Sequence, residues 1–329
     1  MKLHATQKLA KTVFSAKIKK AATRDGYGQA LLELGEKNEK VVVLSADLEE
    51  STRSNVFAEK FPDRFVEVGV AEQNMAGLAA GMAYAGYIPF MSSFAVFSPG
   101  RNWDQVRVSI CYSKANVKIC GGHAGISVGE DGATHQAMED IAITRVLPNM
   151  VVVVPADAEE ARKATLAATD TQGPVYVRLG RMASPVFTTH KSPFEIGVAN
   201  VLASGKDVTI VACGHMVYRA LEAARDLEKK HKIIAEVINC HTIKPLDEKT
   251  ILASAKKTGA VVTAEEHQIH GGLGSAVAEA LAENRPVSMR FVGMPNAFGE
   301  SGGAEELLEK YGMTKEKIIK NALDVIKEK

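Results

Sequence analysis

The fold is decided by the stretch at residues 66–86, which reads VEVGVAEQNMAGLAAGMAYAG. Its apolar opening predicts a buried strand, and the Gly and Ala residues that follow Glu72 predict a helix with almost no side-chain bulk. A second apolar run, IPFMSSF at residues 88–94, comes directly after this helix. A strand, a helix and another strand in this order form the unit of a parallel β-sheet with crossover helices.

The same alternation of short apolar runs and helical patterns continues along the chain, which predicts an α/β fold with a parallel sheet flanked by helices. The pattern breaks at residues 184–197, which contain two prolines and no long apolar run, and then restarts. We therefore predict a first domain at residues 1–188 and a second, smaller α/β domain at residues 192–329, which ends in a helix from residue 314. The predicted strands are VVVLSAD (41–47), FVEVGV (65–70), IPFMSSF (88–94), NVKICGGH (116–123), MVVVVPAD (150–157), PVYVRLG (174–180), DVTIVACG (207–214), IIAEVINC (233–240), AVVTAEE (260–266) and VSMRFVGMP (287–295).

The composition limits the class of protein. A chain of 329 residues with 46% hydrophobic content can bury a substantial core. Its formal net charge of +1 lacks the basic excess of a dedicated nucleic-acid binder, and no apolar stretch has the length of a membrane span. We therefore expect neither nucleic acid nor a membrane as a partner. The cysteines form no C-x-x-C pair, which favours free thiols in a reducing compartment, and we expect a cytoplasmic protein.

The amino terminus is basic, since the first acidic residue of the chain is Asp25. We expect a basic helical lead-in here; a mitochondrial presequence is the alternative, although it would favour Arg and Ser over Lys. Metal ligands are not expected anywhere in the chain. His267 and His270 lie three residues apart, but a lone pair of this kind is more often surface or packing histidine.

Glu72 is the first candidate for chemistry. It follows a predicted strand and opens the small-residue helix, where the helix dipole stabilises a carboxylate whatever its function. The glycines and alanines after it, however, allow another backbone or a flat ligand to approach closely. A buried carboxyl in this setting could share a proton with a ring nitrogen.

Two further segments follow strands of the predicted sheet. Phe94 and Phe97 lie three residues apart beside a loop with Pro99 and Gly100, so one ring could stack on a flat heterocycle; core packing is the alternative. The run GGHAGISVGEDGATHQ, at residues 121–136, brings two histidines and an acidic pair into one glycine-rich loop. Open parallel sheets bind ligands at the carboxyl ends of their strands, so we expect this loop to form part of a functional site.

These segments resemble the pyrimidine-binding half of transketolase. The resemblance rests on GVAEQNMAGLAAGMAYAG, SSFAVF and GISVGEDGATHQ, and it extends to LSADLEES, and to KPLD and EEHQIHGGLGSAVAE in the second domain. It covers the chain from about residue 22 to the last helix. The family implies a thiamine-diphosphate-binding pyrimidine domain followed by a transketolase C-terminal domain. It also implies thiamine diphosphate as the cofactor and transfer of a two-carbon ketol unit between sugar phosphates.

The resemblance assigns the cofactor contacts. In the family, the glutamate of the A-E-Q-N string hydrogen-bonds a ring nitrogen of the cofactor's aminopyrimidine and so promotes loss of the proton from the thiazolium carbon; Glu72 matches this catalytic residue. Phe97 matches the aromatic residue that stacks on the pyrimidine, and Phe94 lines the same pocket. The family often carries a tyrosine three residues after the second phenylalanine, where this chain has Gly100.

Other positions match the sugar-binding groups of the family. Asp131 matches the acid that recognises a substrate hydroxyl near the reacting carbon, and His135 matches the catalytic histidine beside the reacting oxygens. His123 matches a histidine at the phosphate end. The remaining phosphate contacts match Arg24, Ser51 and Arg181, with Arg178 as the alternative to Arg181.

The resemblance also indicates what a partner must supply. The amino-terminal half of the family binds the diphosphate and Mg²⁺ through a G-D-G motif, and no G-D-G occurs in this chain. We therefore expect the carboxyl-terminal subunit of a split transketolase, which dimerises and works with a separate N-terminal subunit in an α2β2 assembly. The alternatives are the β subunit of a 2-oxoacid dehydrogenase, an enzyme like deoxyxylulose-phosphate synthase, and a non-catalytic subunit that retains the fold.

Overall fold

The computed structural model describes the whole chain, residues 1–329. Its strands are β1 (Lys2–Leu3), β2 (Lys20–Ala21), β3 (Val41–Ser45), β4 (Phe65–Glu67), β5 (Ile88–Phe94), β6 (Lys118–Gly122), β7 (Val151–Val153), β8 (Val175–Arg178), β9 (Ser184–Pro185), β10 (Asn200–Ser204), β11 (Val208–Ala212), β12 (Ala235–Asn239), β13 (Thr242–Lys244), β14 (Ala260–Gln268) and β15 (Ser288–Met294).

The α-helices are α1 (Thr23–Lys37), α2 (Glu49–Thr52), α3 (Asn55–Lys60), α4 (Glu72–Tyr84), α5 (Trp103–Gln105), α6 (Asp140–Arg145), α7 (Ala158–Asp170), α8 (Met216–Asp226), α9 (Glu248–Thr258), α10 (Leu273–Asn284), α11 (Ala304–Lys310) and α12 (Lys315–Ile326). Shorter 3₁₀ segments occur at Ala5–Gln7, Pro62–Arg64 and Ile126–Asp131, and π-helical segments at Val106–Tyr112 and Leu227–His231. None of the helices combines the length and the apolar character that crossing a membrane requires.

Seven strands form the first sheet, in the order β13, β7, β8, β6, β5, β3 and β4. All neighbours are parallel except β13, which pairs with β7 in the antiparallel sense. Every residue of β3 and β8 is buried because helices cover both faces: α1 and α7 pack on one face and α4 on the other. This confirms the predicted α/β fold with a parallel sheet flanked by helices.

The second sheet has the order β1, β10, β12, β11, β14 and β15. The strands β11, β12, β14 and β15 are parallel, whereas β1 and β10 are antiparallel to their neighbours. Helices α8 and α12 pack on one face, and α9 and α10 on the other. Each apolar run that was predicted to be a strand contains one, and the predicted last helix is α12.

The two sheets exchange edge strands, which the sequence did not indicate. The amino-terminal β1 pairs with β10 in the second sheet, and β13 of the second half pairs with β7 in the first sheet. One hydrophobic cluster also joins α4 of the first half to α9 and α10 of the second. The division of the chain at residues 188 and 192 therefore stays a prediction about where each half would fold alone.

The expected basic helix at the amino terminus was wrong. Residues 1–22 form β1, one 3₁₀ turn, further turns and β2, with no α-helix. The apolar side chains Leu9, Val13, Phe14 and Ile18 pack against the core of the second domain, and the N–H of Ala10 donates to the carbonyl of Phe187 at 2.8 Å. These distant contacts override the local pattern, since helix propensity is a weak preference.

Candidate active site

The candidate site lies at the edge of the first sheet where the parallel strands end. Because β3, β4, β5, β6 and β8 are parallel, their carboxyl ends meet at this edge. The segments that leave these ends carry Ser51, Glu72, Phe97, His123 and Arg181, respectively. Strand order thus brings together residues that are far apart in the sequence.

Glu72 is the first residue of α4 and is only 1% exposed. Its carboxylate oxygen Oε2 accepts a hydrogen bond from Nη1 of Arg101 at 2.8 Å, and its carbonyl accepts one from the buried Asn102 side chain at 3.1 Å. A buried carboxylate is costly unless it is paired, and here the half-exposed Arg101 supplies the pair. Both the backbone and the side chain of Glu72 are therefore fixed.

The two predicted aromatic rings lie side by side with two histidines. Phe94 and Phe97 are nearly parallel, at 8° and with 6.0 Å between ring centroids. The imidazole of His123 stacks on Phe94 at 3.7 Å, and His135 meets both phenyl rings edge-on. The guanidinium of Arg101 lies 4.5 Å from the Phe97 centroid, a cation–π contact. The rings thus connect Glu72, through Arg101, to the two histidines.

A cationic group lies beyond His123. Arg24 donates from Nη1 to the carbonyl of Ser51 at 2.8 Å and contacts Nε2 of His123 at 3.2 Å. Burial, reinforced by the positive charges of Arg24, Arg181 and Arg53, lowers the pKa of His123 to about 3. The histidine is therefore neutral, and its Nδ1 is buried without a hydrogen-bond partner. Several positive charges beside an unsatisfied nitrogen are the features of an anion site.

Arg181 and Asp131 close the other side of this group. Arg181 Nη1 donates to the carbonyl of Val128 at 2.6 Å and lies 3.6 Å from Oδ1 of Asp131. Arg178, the alternative phosphate residue, is instead buried and held by the Asp140 carboxylate at 2.7 and 3.1 Å. The Nε and Nη2 atoms of Arg178 bond inside the protein, whereas Arg181 lies beside Asp131.

The contacts place every predicted site residue in one region, which comprises Arg24, Ser51, Glu72, Phe94, Phe97, His123, Asp131, His135 and Arg181. Sequence reasoning missed Arg53 and Arg101. Arg53 follows Ser51 by two residues, has a left-handed φ of 67°, and its Nε donates to Asp25 at 2.9 Å. The spacing of Arg101, one helical turn after Phe97, was the only local signal for its contact with that ring.

Gly100 lies where the family resemblance implies a tyrosine, and its backbone leaves no room for a side chain. A Cβ atom at this position would clash with the carbonyl oxygen of Val96. A side chain at position 100 would therefore need a different backbone here. The face of Phe97 is covered by the guanidinium of Arg101 instead.

The residues present fit one half of thiamine diphosphate. A buried carboxylate beside parallel aromatic rings suits an aminopyrimidine with a ring nitrogen. On α4, Cβ atoms added at Gly77 or Gly81 would meet nothing within 4 Å, so that face of the helix is open. No group of three or more His, Cys, Asp or Glu side chains is placed to hold a metal ion.

Comparison with known proteins gives the family. Residues 19–186 match the model of the transketolase pyrimidine binding domain, and residues 197–318 match that of the transketolase C-terminal domain. The chain belongs to the transketolase family. This confirms the resemblance seen in the sequence and the order of the two domain types.

The similar proteins of this transketolase-family chain include separate subunits. It is 47% identical over 307 residues to a transketolase C-terminal section from Methanocaldococcus jannaschii, covering 92% of this chain and 96% of that protein. It is 44% identical over 316 residues to a 6-deoxy-6-sulfo-D-fructose transketolase subunit from a Clostridium species, covering 96% and 98%. A solved structure described as a split-gene transketolase in an inactive β4 tetramer matches with a TM-score of 0.87 and 51% identity, covering 93% and 98%. The similar proteins thus include a C-terminal section, a separate subunit and a split-gene transketolase, which agrees with the prediction from the sequence.

Proposed function

We propose that this chain is the carboxyl-terminal subunit of a thiamine-diphosphate-dependent transketolase and is active only with a separate N-terminal subunit. The observation that carries the proposal is the continuous series of contacts from the buried Glu72, through Phe97 and Phe94, to His123 and Arg24. The carboxylate suits a pyrimidine ring nitrogen, the aromatic rings suit the flat face of the pyrimidine, and the cationic group suits the phosphate of a sugar. These groups follow one another in the order that the reaction requires.

Glu72 and Phe97 form the cofactor half of this proposal. Thiamine diphosphate, when bound, supplies the carbon nucleophile and electron sink for ketol transfer. Glu72 holds or gives up a proton at the pyrimidine ring nitrogen, and Phe97 orients the ring, with Phe94 beside it. Mg²⁺ and the diphosphate would be held mainly by the partner, because this chain has no G-D-G motif.

The cationic group forms the substrate half. Arg24, Arg181, His123 and Ser51 bind the phosphate of a sugar phosphate, pentose phosphates being the simplest case, while Asp131 and His135 act near the reacting carbons. Guanidinium groups suit this task because they hold two oxygens of an anion at once. The name of the Clostridium relative, a 6-deoxy-6-sulfo-D-fructose transketolase subunit, supports a sugar with an anionic end.

The proposed assembly is an α2β2 heterotetramer with active sites between subunits. Two copies of this chain associate through surfaces that include the open face of α4, and each cofactor site is completed by an N-terminal subunit. The neighbour described as an inactive β4 tetramer supports self-association and the need for a partner. The four cysteines are free and buried, which favours the cytoplasmic location expected from the sequence.

Reconstitution tests the proposal. The purified chain is mixed with a G-D-G-bearing N-terminal subunit, thiamine diphosphate and Mg²⁺, and ketol transfer from xylulose 5-phosphate to ribose 5-phosphate is followed. We expect transfer by the pair and none by either subunit alone. Robust turnover by this chain alone, with contaminating transketolase excluded, would contradict the proposal, as would an inactive complex that binds both cofactor and sugar.

A further inference from the structure

The loop that carries Asp131 belongs to the first domain, but the second domain holds its backbone. The N–H of Ser127 donates to Oε1 of Glu266 at 2.6 Å, across a sequence separation of 139 residues. Glu266 lies on β14 and is 5% exposed. A hydrogen bond from a backbone N–H to a buried carboxylate is among the stronger ones in proteins.

The Glu266 carboxylate is itself fixed in orientation. Its second oxygen, Oε2, lies 3.1 Å from Nδ1 of His215, immediately before α8. Burial lowers the pKa of His215, so its ring lies beside the carboxylate in the neutral form. A Cβ atom on Gly125 would clash with the same carboxylate, and Gly125 has a left-handed φ of 93°. The backbone therefore approaches Glu266 as closely as only glycine permits.

Two further contacts hold the same loop. The side-chain amide of Gln136 donates to the carbonyls of Ile126 and Gly129 at 3.3 Å, and to that of Glu300 in the second domain at 2.9 Å. The Ser301 hydroxyl donates to the carbonyl of Glu130. The second domain thus contacts the loop near its start, at Ser127, and near its end, at Glu130.

The position of this loop determines where the sugar-binding groups lie. The carbonyl that accepts the hydrogen bond of Arg181 belongs to Val128, the residue next to Ser127, and Asp131 follows three residues later. Gly129 and Gly132 both have left-handed φ angles, so the loop has little conformational preference of its own. Contacts with the second domain therefore help to set its conformation.

We propose that Glu266 is a positioning residue of the sugar site: through the N–H of Ser127, it sets the loop that places Arg181 and Asp131. This assigns a task in substrate binding to the second domain. The contact between Glu266 and the loop does not depend on which reaction the protein catalyses. Its effect on sugar binding, in contrast, rests on the proposed function. Removal of the carboxylate leaves the Ser127 N–H buried without a partner and loosens the loop at this point, while the contacts of Gln136 and Ser301 remain.

Amide hydrogen exchange on the free chain tests the first step. In Glu266→Ala, we expect exchange in the peptide that covers residues 125–134 to accelerate by about tenfold or more, since a lost buried hydrogen bond is worth about that factor. In Glu266→Gln the amide oxygen still accepts from Ser127, and exchange should stay near the wild-type rate. Glu236→Gln is the control, because Glu236 is a similarly buried carboxylate on β12 of the same sheet and pairs with Lys257. Unchanged exchange in folded Glu266→Ala would overturn the proposal.

Kinetics of the reconstituted complex test the second step. We expect Glu266→Ala to raise KM for xylulose 5-phosphate by about tenfold, to leave proton exchange at the cofactor's thiazolium carbon unchanged, and to affect hydroxypyruvate, which lacks a phosphate, much less. Glu266→Gln should restore KM. If Glu266→Ala does not fold, Glu266→Asp keeps the charge but moves it away from Ser127 by one methylene. It should likewise raise KM for xylulose 5-phosphate, with a much smaller effect on hydroxypyruvate and none on proton exchange at the thiazolium carbon. A freed loop with an unchanged KM would overturn the positioning role, whereas a wild-type complex that transfers no ketol unit would contradict the proposed function and leave the exchange result standing.

Discussion

Arg101 contacts both of the side chains that the family resemblance assigns to the pyrimidine. It forms an ion pair with Glu72 and lies over Phe97. Glu72 is fully buried but Arg101 is 46% exposed, and leaving a buried carboxylate without a partner costs about 3–5 kcal/mol. The arginine can therefore leave only when another group, such as a protonated ring nitrogen, takes its place at the carboxylate. The resemblance supplied Glu72 and Phe97; it could not supply Arg101, whose contact with Glu72 spans 29 positions.

The lowered pKa of His123 predicts how the stability of the protein changes with pH. Its pKa in the folded chain, about 3, is lowered by burial and then by the charge of Arg24, whereas an unfolded histidine has a pKa of about 6.5. As the pH falls below about 6.5, the unfolded state therefore takes up a proton that the folded state refuses, and stability decreases down to about pH 3. Arg24→Met removes the adjacent positive charge and should raise the pKa of His123 and reduce this loss of stability.

An NMR titration of the histidine Cε1–H signals measures that shift, and urea unfolding at several pH values measures the stability. Arg64→Met serves as the control, because Arg64 lies over Phe61, away from the site. A His123 pKa that is the same in Arg24→Met and wild type would contradict the arrangement of charges described above.

At the scale of elements, the apolar runs predicted the strands well because parallel strands between two helical layers are buried on both faces. Four of the missed strands are short: β1, β2 and β9 have two residues each, and β13 has three. The fifth, β10, has five residues and is antiparallel to both of its neighbours, β1 and β12. Their pairing depends on distant partners and leaves no periodic pattern. The same reason accounts for the amino-terminal helix that was predicted and does not form.

Helix α4 provides a prediction about assembly. Its Gly81 has no neighbour within 4 Å of an added Cβ, so Gly81→Ala should stabilise the free subunit by about 0.5–1 kcal/mol through helix propensity. Gly81→Trp should leave the subunit folded but prevent association at this face, as measured by light scattering.

Gly35 of α1 is the matched control, because a Cβ there would clash with the ring of Phe61. Gly35→Ala should therefore destabilise the subunit, although both are helical glycine-to-alanine changes. An undiminished oligomer in Gly81→Trp would show that the open face of α4 is not the contact between copies.

At the scale of the whole molecule, the two halves share a hydrophobic cluster and exchange edge strands. The second half alone would lose β1 and the side chains of residues 1–22 that cover its core, including Val13 and Phe14. A fragment of residues 192–329 should therefore unfold with a broader and less stable transition than the same half within the full chain.

Denaturation of the fragment, followed by circular dichroism and by amide NMR, measures this loss. Adding a peptide of residues 1–22 should restore part of the stability, and a scrambled peptide should not. A fragment that unfolds as sharply and at the same denaturant concentration as the full chain would instead support two halves that fold separately at the predicted division.

We infer that Glu72 of this chain supplies the carboxylate that controls the proton at the cofactor's pyrimidine. Hydrogen–deuterium exchange at the thiazolium carbon of thiamine diphosphate, measured by quenched-flow NMR in the reconstituted complex, tests this role. Glu72→Ala should slow this exchange by about 10²- to 10⁴-fold, the usual contribution of a general acid–base group, while the subunits still assemble. Asp104→Asn, an exposed carboxylate near Arg101, should leave the rate unchanged. An assembled Glu72→Ala complex that exchanges at the wild-type rate would contradict the account.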